Sequence, residues 1–473
     1  MTCHTEFRPP LGTSPRIFVA FRLTLLIVLC VSTEAPLTVV HAQTAQAFAL
    51  HDGDRVVFYG DNISEVQFYD SRAEPRLYTT LVETYALTRF PARRFTFINS
   101  AWGGERVSGG WGGTVDLRLR RDVFAHRPNV LAIMLGMNDA EGRAYDPRLF
   151  RYYAVGYKHI VDSAKRQLPG VRITLMRPSP YDDVTRAPDF PGGYNNVLIR
   201  YGAFVQKLGE AGHHTVADLN APLIVVLQQA QEKNPILAQS IVPDRTHPGP
   251  AGQLILAAAL LKAWHATSMV SSVRLDVSER RFTQLENTSV TDVQFANAIS
   301  WTQLDGALPF PIEQGDPSVA LVLQCSDFVG ALDQQKLEVV GLPHPNYRLE
   351  IDGEAIGKFT RAQLAQGINL ALFETPMERQ AQRVYDLTKK RNDVYFGRWR
   401  QVQLTQGVMY KQSAGKDLLN TPVKHVTLLQ QNDDTMALKQ TALQALDALD
   451  EDLAALQHSA AQPKPHSYRL APE

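Results

Sequence analysis

The stretch Val56-Val57-Phe58-Tyr59-Gly60-Asp61-Asn62-Ile63-Ser64 sets the fold of the first half of the chain. Its apolar first half, Val56 to Tyr59, is typical of a β-strand. The small and polar residues from Gly60 onward are expected where the carboxyl end of a parallel strand opens onto a crevice that binds ligands. The stretch therefore predicts a strand of a parallel sheet with a functional edge.

The residues on either side repeat this pattern. From Arg55 to about Trp264, short apolar runs alternate with longer amphipathic stretches, which is the rhythm of βαβ units. A final helix from Gly252 to Trp264, rich in Ala and Leu, is predicted to pack on the sheet. The predicted strands are Val56–Tyr59, Thr96–Asn99, Val130–Leu135, Arg172–Arg177 and Thr215–Asp218.

The pattern of apolar and polar residues changes after Thr267. Alternating residues from Val273 to Val277 and the apolar run Ala320–Leu323 predict strands, and Ile351-Asp352-Gly353 predicts a hairpin. We interpret residues 270–372 as a smaller β-rich accessory domain, residues 376–458 as helical segments and residues 459–473 as a disordered tail. One helical face is predicted to dock or pair through Leu438, Leu443, Leu446, Leu449, Leu453 and Leu456.

Length and composition limit the classes of protein. A chain of 473 residues is too long for one ordinary domain, so two domains and a tail are expected. Apolar residues (44%) and charged residues (20%) have globular proportions. The 48 Lys and Arg balance the 48 Asp and Glu, so no global field attracts nucleic acid, and nucleic acid is not a predicted partner.

The amino terminus has the features of a secretory signal. Basic residues precede the apolar run Leu23–Val31, which is too short to span a bilayer. Cleavage after Ala42 removes residues 1–42 and predicts an exported protein, periplasmic or extracellular, with no stable membrane insertion. Cys325 is then the only cysteine left, so no intramolecular disulfide is expected and Cys325 is interpreted as a buried small hydrophobe.

Four short motifs occur in an informative order. They are Gly60-Asp61-Asn62-Ile63-Ser64, Trp102-Gly103-Gly104-Glu105, Gly136-Met137-Asn138-Asp139 and Asp244-Arg245-Thr246-His247. Each lies at a predicted strand end or just before the last helix, and together they resemble the four signature blocks of the SGNH (GDSL-like) esterase superfamily. The resemblance covers residues 45–268 and implies a flavodoxin-like three-layer α/β/α domain.

The resemblance also implies roles for individual residues. His247 corresponds to the general base and Asp244 to the carboxylate that orients it, and a His three residues after an Asp can be held in one tautomer. Gly104 and Asn138 correspond to the oxyanion hole, because a glycine N–H and an asparagine amide can both donate to developing negative charge. No cofactor and no metal is implied.

The departure from the family pattern is at the nucleophile. Asn62 stands where the family has a serine, and an amide is not a useful nucleophile. Ser64 is the alternative nucleophile, but two residues turn a helix by about 200°, so we favour a structural role for its hydroxyl. Asn62 itself could serve simply as a helix N-cap.

Other candidate residues have structural explanations as well. The segments Tyr181–Asp183 and Pro191–Asn195 are interpreted as crevice walls or turns. His213 and His214 lack ligand partners at a recognisable spacing, so a metal site is not predicted there. The aromatic and arginine cluster from Tyr395 to Arg400 could stack on sugars, although interdomain packing is the default interpretation.

Three functions follow from these residues. The first is an exported esterase that hydrolyses carboxylic esters such as acetylated carbohydrates, with His247 activating water directly and Asn62 positioning it. The second is a catalytically impaired protein that binds a glycan or acyl ligand in the same crevice. In the third, the β-rich domain binds a glycan and the helical tail mediates assembly. The oligomeric state is left open.

Overall fold

Strand and helix alternate along the first half of a computed structural model, which describes residues 47–65, 77–313, 315–403 and 433–473. The predicted signal peptide, residues 1–42, lies outside the described residues. The elements of the first half are β1 (Arg55–Gly60), α1 (Tyr78–Arg89), β2 (Thr96–Asn99), β3 (Gly109–Gly110), β4 (Gly113–Thr114), α2 (Val115–Arg118), β5 (Val130–Met134), α3 (Pro147–Gln167), β6 (Arg172–Arg177), α4 (Gly193–Gly212), β7 (Thr215–Asp218), α5 (Ala221–Lys233), α6 (Pro235–Ala238) and α7 (Pro250–Ala263).

The five predicted strands form one parallel sheet in the order β2-β1-β5-β6-β7. This is the strand order of flavodoxin-like folds, so the predicted α/β fold class is confirmed. β1 and β5 are apolar because helices cover both faces of the sheet, and every residue of β5 is buried. The carboxyl ends of β1, β2 and β5 therefore meet at one edge.

The helix predicted from Gly252 to Trp264 is confirmed as α7, which begins two residues earlier at Pro250. Proline suits the first position of a helix because its fixed φ is helical and its missing N–H has no partner there in any case. Residues 251–261 are all buried, which explains why the helix is apolar on every side. α7 packs on α1 and β7.

The second half of the chain contains two further sheets, in the orders β15-β12-β8-β9 and β10-β11-β16-β13-β14. Its elements are β8 (Met269–Asp276), β9 (Arg281–Glu286), β10 (Thr288–Phe295), β11 (Ile299–Asp305), α8 (Pro317–Gln324), α9 (Phe328–Leu332), β12 (Gln334–Val340), β13 (Asn346–Ile351), β14 (Glu354–Thr360), α10 (Arg361–Gln366), β15 (Ile368–Asn369), α11 (Pro376–Phe396), α12 (Asp433–Ala461) and β16 (His466–Pro472).

Two local predictions in this half have opposite outcomes. The hairpin at Ile351-Asp352-Gly353 is confirmed, because β13 and β14 pair antiparallel and both Asp352 and Gly353 have positive φ. The strand predicted at Ala320–Leu323 is wrong, because these residues lie within α8. The Asp316 side chain caps this helix by accepting the N–H of Ser318, and a short apolar run fits a buried helix as well as a strand.

The prediction of a disordered tail at residues 459–473 is wrong. α12 continues to Ala461, and β16 lies between β11 and β13 in the middle of a sheet. Alternate residues of β16 are buried, among them Tyr468 and Leu470, while Ser467 and Arg469 point to solvent. Such a strand gains its stability from neighbours more than a hundred residues away in the chain, which local composition does not reveal.

The helical segments pack on the α/β domain. α11 contacts α1 and α12, and a π-helical segment, Gly397–Gln403, extends α11. Polar residues make much of the contact between α11 and α12, including Arg391 with Asp450 at 3.0 Å. Leu438, Leu449 and Leu456 are exposed, so these leucines do not form the face that packs on α11.

The hydrophobic cores do not divide at residue 268. α8 and α9 pack with α7, and Phe310, Val322 and Phe328 join the core of the parallel sheet. Cys325 belongs to the same core and is a free, buried cysteine, as predicted. Across the described ranges, no helix is both long and apolar enough to cross a membrane.

Candidate active site

Residues of all four motifs lie together at the carboxyl end of the parallel sheet. Asn62 follows β1, Gly104 lies in the loop after β2, Asn138 follows β5, and Asp244 and His247 precede α7. Ligands of open α/β sheets bind at this edge, beside the point where the strand order reverses. The structure thus brings Asn62, Asn138, Asp244 and His247 together at this edge.

Asp244 and His247 form a tightly bonded pair. Asp244 Oδ2 lies 2.6 Å from His247 Nδ1, and Asp244 Oδ1 accepts the N–H groups of His247 (2.7 Å) and Thr246 (3.0 Å). Burial alone would raise the pKa of Asp244, but the hydrogen bonds from His247 and Thr246 lower it to about 2. The same hydrogen bond raises the pKa of His247. The pairing orients the imidazole with Nδ1–H toward the carboxylate and Nε2 toward the crevice.

The side chain of Asn62 occupies the space in front of His247. Its Nδ2 lies 2.5 Å from His247 Nε2, and its Oδ1 accepts a hydrogen bond of 2.9 Å from Asn138 Nδ2. Asn138 Nδ2 also donates to the Glu105 carbonyl oxygen at 3.1 Å. One carboxamide thus bridges the candidate base and a candidate oxyanion donor.

The helix-cap interpretation of Asn62 is wrong. The side chain that bonds the following backbone is that of Asp61, whose Oδ1 accepts the N–H of Ile63 at 3.1 Å. Burial raises the pKa of Asp61 to about 7. Because Asp61 makes this bond to the backbone, the Asn62 side chain is free to point toward His247.

Ser64 lies on the opposite side of the turn. Its side chain is fully buried, and its Oγ pairs with the Tyr78 hydroxyl at 2.7 Å rather than with His247. A Cβ at Gly60 would meet Ser64 Oγ at 2.7 Å, so the hydroxyl is packed against the end of β1. This placement gives Ser64 a structural role, as the sequence favoured, and leaves it without a base.

The loop after β2 brings Gly104 to the site. Gly104 has a φ of +72°, a conformation that favours glycine, and the Trp111 ring lies 3.7 Å from the position a Cβ would take. In the next motif, Asp139 is buried and holds the N–H of Val107 at 3.0 Å, which ties this loop to the end of β5. Burial raises the pKa of Asp139 to about 7.

Sequence reasoning missed a charged pair beside the site. Arg400, from the segment after α11, forms an ion pair with Glu65, and its guanidinium carbon lies 3.2 Å from the Trp102 ring centroid. Glu65 in turn accepts the N–H of Gly103. Burial lowers the pKa of Arg400 to about 10, although the Glu65 carboxylate opposes this shift. The only signal in the sequence was the aromatic and arginine cluster around Arg400.

The default interpretation of that cluster, interdomain packing, is confirmed. Trp399 is 2% exposed and its Nε1–H donates to Asp122 at 2.9 Å. Its ring lies edge-on to Trp102, at 5.5 Å between centroids. Asp122 and Glu105 both bind the buried Arg118, so one network joins the helical segments to the loop that carries Gly104.

The segments predicted as crevice walls contact the Asp244 to His247 turn. Arg245 has a φ of +71°, stacks over the Tyr181 ring at 5.5 Å and forms an ion pair with Asp189 at 2.9 Å. Asp183 Oδ2 accepts the N–H of Asn195 at 2.8 Å, which connects the two wall segments. These contacts hold the turn that carries Asp244 and His247.

His213 and His214 lie at the other end of the sheet, where α4 ends and β7 begins. Both line a groove there together with Lys165 and Arg172. In the part of the chain that the structure describes, no group of three or more His, Cys, Asp or Glu side chains is arranged to hold a metal ion.

The strand order of the sheet and the Asp244–His247 pair at its carboxyl end are typical of α/β proteins of the ester-hydrolase class. Residues 58–255 match the profile of the GDSL-like Lipase/Acylhydrolase family, so this part of the chain is a domain of that family. The resemblance seen in the four motifs is thereby confirmed.

Two relatives extend the comparison. An acetylxylan esterase from Geobacillus stearothermophilus is 25% identical over 229 residues, which are 44% of this chain and 93% of the relative. The solved structure of a gut microbial diltiazem-metabolizing enzyme is 23% identical, covering 90% of this chain and 98% of its own, with a TM-score of 0.73. The second likeness shows that the shared fold extends over the β-rich and helical parts as well.

Proposed function

We propose that this protein hydrolyses carboxylic esters of acylated carbohydrates or related small molecules, with His247 as the general base. The observation that carries the proposal is the bonded chain from Asp244 through His247 and Asn62 to Asn138. A protein that used this fold only as a scaffold would have no need to orient an imidazole toward the crevice in this way.

The proposed reaction uses water as the nucleophile. Asn62 rotates away from His247 and holds a water molecule, from which Nε2 removes a proton as the oxygen attacks the ester carbonyl. The Gly104 N–H and the Asn138 amide donate to the oxyanion, while Asp244 stabilises the imidazolium. His247 then returns the proton to the departing alkoxide, and the products are a carboxylic acid and an alcohol.

The substrate class rests on one relative of known substrate. The acetylxylan esterase from Geobacillus stearothermophilus supports an acetylated carbohydrate as the ester. The likeness to the diltiazem-metabolizing enzyme supports only the fold. Acetyl esters of sugars are therefore the first compounds to test.

A second candidate function is a binding protein that does not turn over its ligand. It is favoured by the same carboxamide, because Asn62 occupies the lone pair of His247 Nε2 and an Asn138 proton at the same time. An ester would have to displace both hydrogen bonds to reach the base and the oxyanion donor. In this reading the crevice binds a glycan or acyl ligand without hydrolysis.

The deciding experiment assays the purified mature protein on acetylated xylooligosaccharides and p-nitrophenyl esters. Hydrolysis that is lost in His247→Ala and reduced in Asp244→Asn supports the hydrolase. Activity equal in the wild type and in His247→Ala is a contaminant or a different site, and it contradicts the proposal.

We also propose that the protein is exported to the periplasm or the extracellular space, with cleavage after Ala42. The support is the basic start, the short apolar run and the small residues before the cleavage position. Mass spectrometry of the protein from its native cells tests this. A mature chain that begins at Met1 contradicts it.

A further inference from the structure

Trp111 holds an exposed indole ring beside the candidate oxyanion loop. It is 43% exposed, and two of its ring atoms lie 3.7 and 3.8 Å from the position that a Cβ atom at Gly104 would take. Trp111 sits at the tip of the short hairpin formed by β3 and β4. Of the five tryptophans in the sequence, Trp264, Trp301 and Trp399 are buried, and Trp102 stacks with Arg400.

Glycines allow the hairpin to pack closely against its neighbours. A Cβ at Gly110 would meet the Gly104 carbonyl oxygen at 2.8 Å, so the hairpin lies directly on the backbone of the oxyanion loop. A Cβ at Gly112 would meet the Trp102 ring at 2.6 Å. Gly109 and Gly113 have φ values of +98° and +122°, which favour glycine.

A buried network braces the hairpin from behind. Arg121 donates to the Gly112 carbonyl oxygen at 2.9 Å and binds Asp122, which also accepts from Trp399. The Val115 N–H donates to the Ser108 carbonyl oxygen at 3.1 Å and closes the base of the hairpin. The backbone that carries Trp111 is therefore held in place before any ligand binds, which reduces the entropy lost on binding.

An exposed tryptophan ring on a well-anchored hairpin suits a ligand with one apolar face and a polar rim. The C–H face of a pyranose has this character, because its hydroxyls lie around the edge of the ring and can stay in water while the face covers the indole. No other ring stacks on Trp111 within the described residues.

We propose that Trp111 is a specificity-determining residue that stacks on the pyranose ring carrying the scissile ester. This inference rests on the proposed function and specifies its substrate as an acylated pyranose rather than a simple alkyl ester. With the sugar on Trp111, the acyl carbonyl points toward Gly104 and Asn138, and its carbon faces Asn62 and His247.

The test separates sugar binding from catalysis. Isothermal titration calorimetry measures the binding of xylotetraose, a sugar without an ester. The proteins compared are the wild type, Trp111→Ala, Trp111→Tyr and Tyr152→Ala. Tyr152 is 52% exposed on α3, away from the crevice motifs in sequence, and serves as the matched loss of a surface ring. We expect Trp111→Ala to weaken binding about five- to tenfold, Trp111→Tyr to retain most of it and Tyr152→Ala to change nothing.

A kinetic arm adds a readout that misfolding would not mimic. In any active form, Trp111→Ala should raise KM for acetylated xylotetraose more than it lowers kcat, whereas Tyr152→Ala should change neither constant. Equal xylotetraose binding by the wild type and Trp111→Ala, or no binding by the wild type, overturns the inference. Binding that depends on Trp111 with no ester hydrolysis by any variant overturns the hydrolase proposal alone.

Discussion

Asn62 Nδ2 lies 2.5 Å from His247 Nε2, where a hydroxyl nucleophile would meet its base. The other end of the same carboxamide accepts a hydrogen bond from Asn138. Asn62 therefore satisfies two groups that a reacting ester would need, the candidate base and a candidate oxyanion donor. This relationship makes position 62 the most informative place to change the protein.

Asn62→Ser should create esterase activity or raise it by roughly 100-fold or more. The serine hydroxyl would face Nε2 of a histidine that Asp244 already orients, and the Asn138 amide would become available to the oxyanion. Hydrolysis of p-nitrophenyl acetate and acetylated xylooligosaccharides measures the gain.

The double variant Asn62→Ser with His247→Ala is the control, and it should lose the gain because the base is gone. A folded Asn62→Ser protein that is inert on every ester favours the binding protein instead. If Ser64→Ala alone abolishes activity of the unmodified protein, Ser64 rather than position 62 supplies the nucleophile.

Asp244→Asn should lower the pKa of His247. The hydrogen bond to the Asp244 carboxylate raises this pKa in the folded protein, and an amide does not stabilise the imidazolium in the same way. Since neutral imidazole is the base, activity should fall as the pH drops through the pKa of His247, and in the variant this fall should move to lower pH. NMR titration of the imidazole protons measures the pKa without an assay.

The internal control for this titration is His214, whose pKa is lowered by burial at the other end of the sheet. Its pKa should be the same in both proteins. An unchanged pKa of His247 in Asp244→Asn would show that the bond seen here does not govern the base.

Asp61→Asn should make the protein more stable at pH 8 than the wild type. Burial raises the pKa of Asp61 from 3.8 to about 7, so between these values the folded state binds the proton and the unfolded state does not. Stability from this group is complete below pH 3.8 and is lost as the pH rises through 7, which amounts to roughly 4 kcal/mol.

Asparagine has no charge to bury and can still accept the Ile63 N–H, so the variant should avoid this loss. Urea unfolding at pH 5 and pH 8 measures the difference, with the exposed Asp452→Asn as the control for the change in charge. A wild type that loses no more stability than Asp61→Asn between these two pH values would contradict the prediction.

Trp399→Ala should destabilise the protein by about 3 to 5 kcal/mol. The ring is 2% exposed, packs edge-on to Trp102 and donates to Asp122, so its removal leaves a cavity between the helical segments and the α/β domain. Trp399→Phe keeps most of the volume and should cost less. Chemical denaturation decides, and a loss below about 1 kcal/mol would mean that the segment after α11 is not needed for stability.

Deletion of residues 466–473 should prevent stable folding of the β-rich part. β16 supplies the central strand between β11 and β13, and its removal leaves Trp301 and Leu349 without cover. Thermal unfolding and soluble yield measure the effect. Tyr468→Ala should reproduce much of it, whereas Arg469→Ala on the exposed face should not, and a truncated protein as stable as the full chain would contradict the assignment.

The confirmed predictions concern stretches of chain whose structure follows from their own residues. The strands β1 and β5 at the centre of the parallel sheet are apolar runs buried on both faces, and each is visible without knowing its partners. The turn from Asp244 to His247 is equally local, because the two side chains are close enough to bond as soon as the turn forms. The Asp352-Gly353 hairpin turn follows from residues that tolerate positive φ.

The predictions that failed depended on residues outside the stretch that was assigned. Ala320–Leu323 is helical because Asp316 caps it and α7 covers it, while its composition fits a strand equally well. The segment from His466 is a strand only because β11 and β13 lie on either side of it. The strand propensity of a short segment is too weak to reveal such neighbours.

The sequence by itself determined the α/β fold, the edge of the sheet where the motifs meet and the identity of the residues there, because apolar periodicity and short turns are local properties. Only the tertiary structure decided what those residues do to one another. Asn62 and His247 are 185 positions apart, and Glu65 and Arg400 are 335 apart. Contacts of this kind depend on how the elements pack, since a side chain finds its partner only after sheet and helices have been brought together.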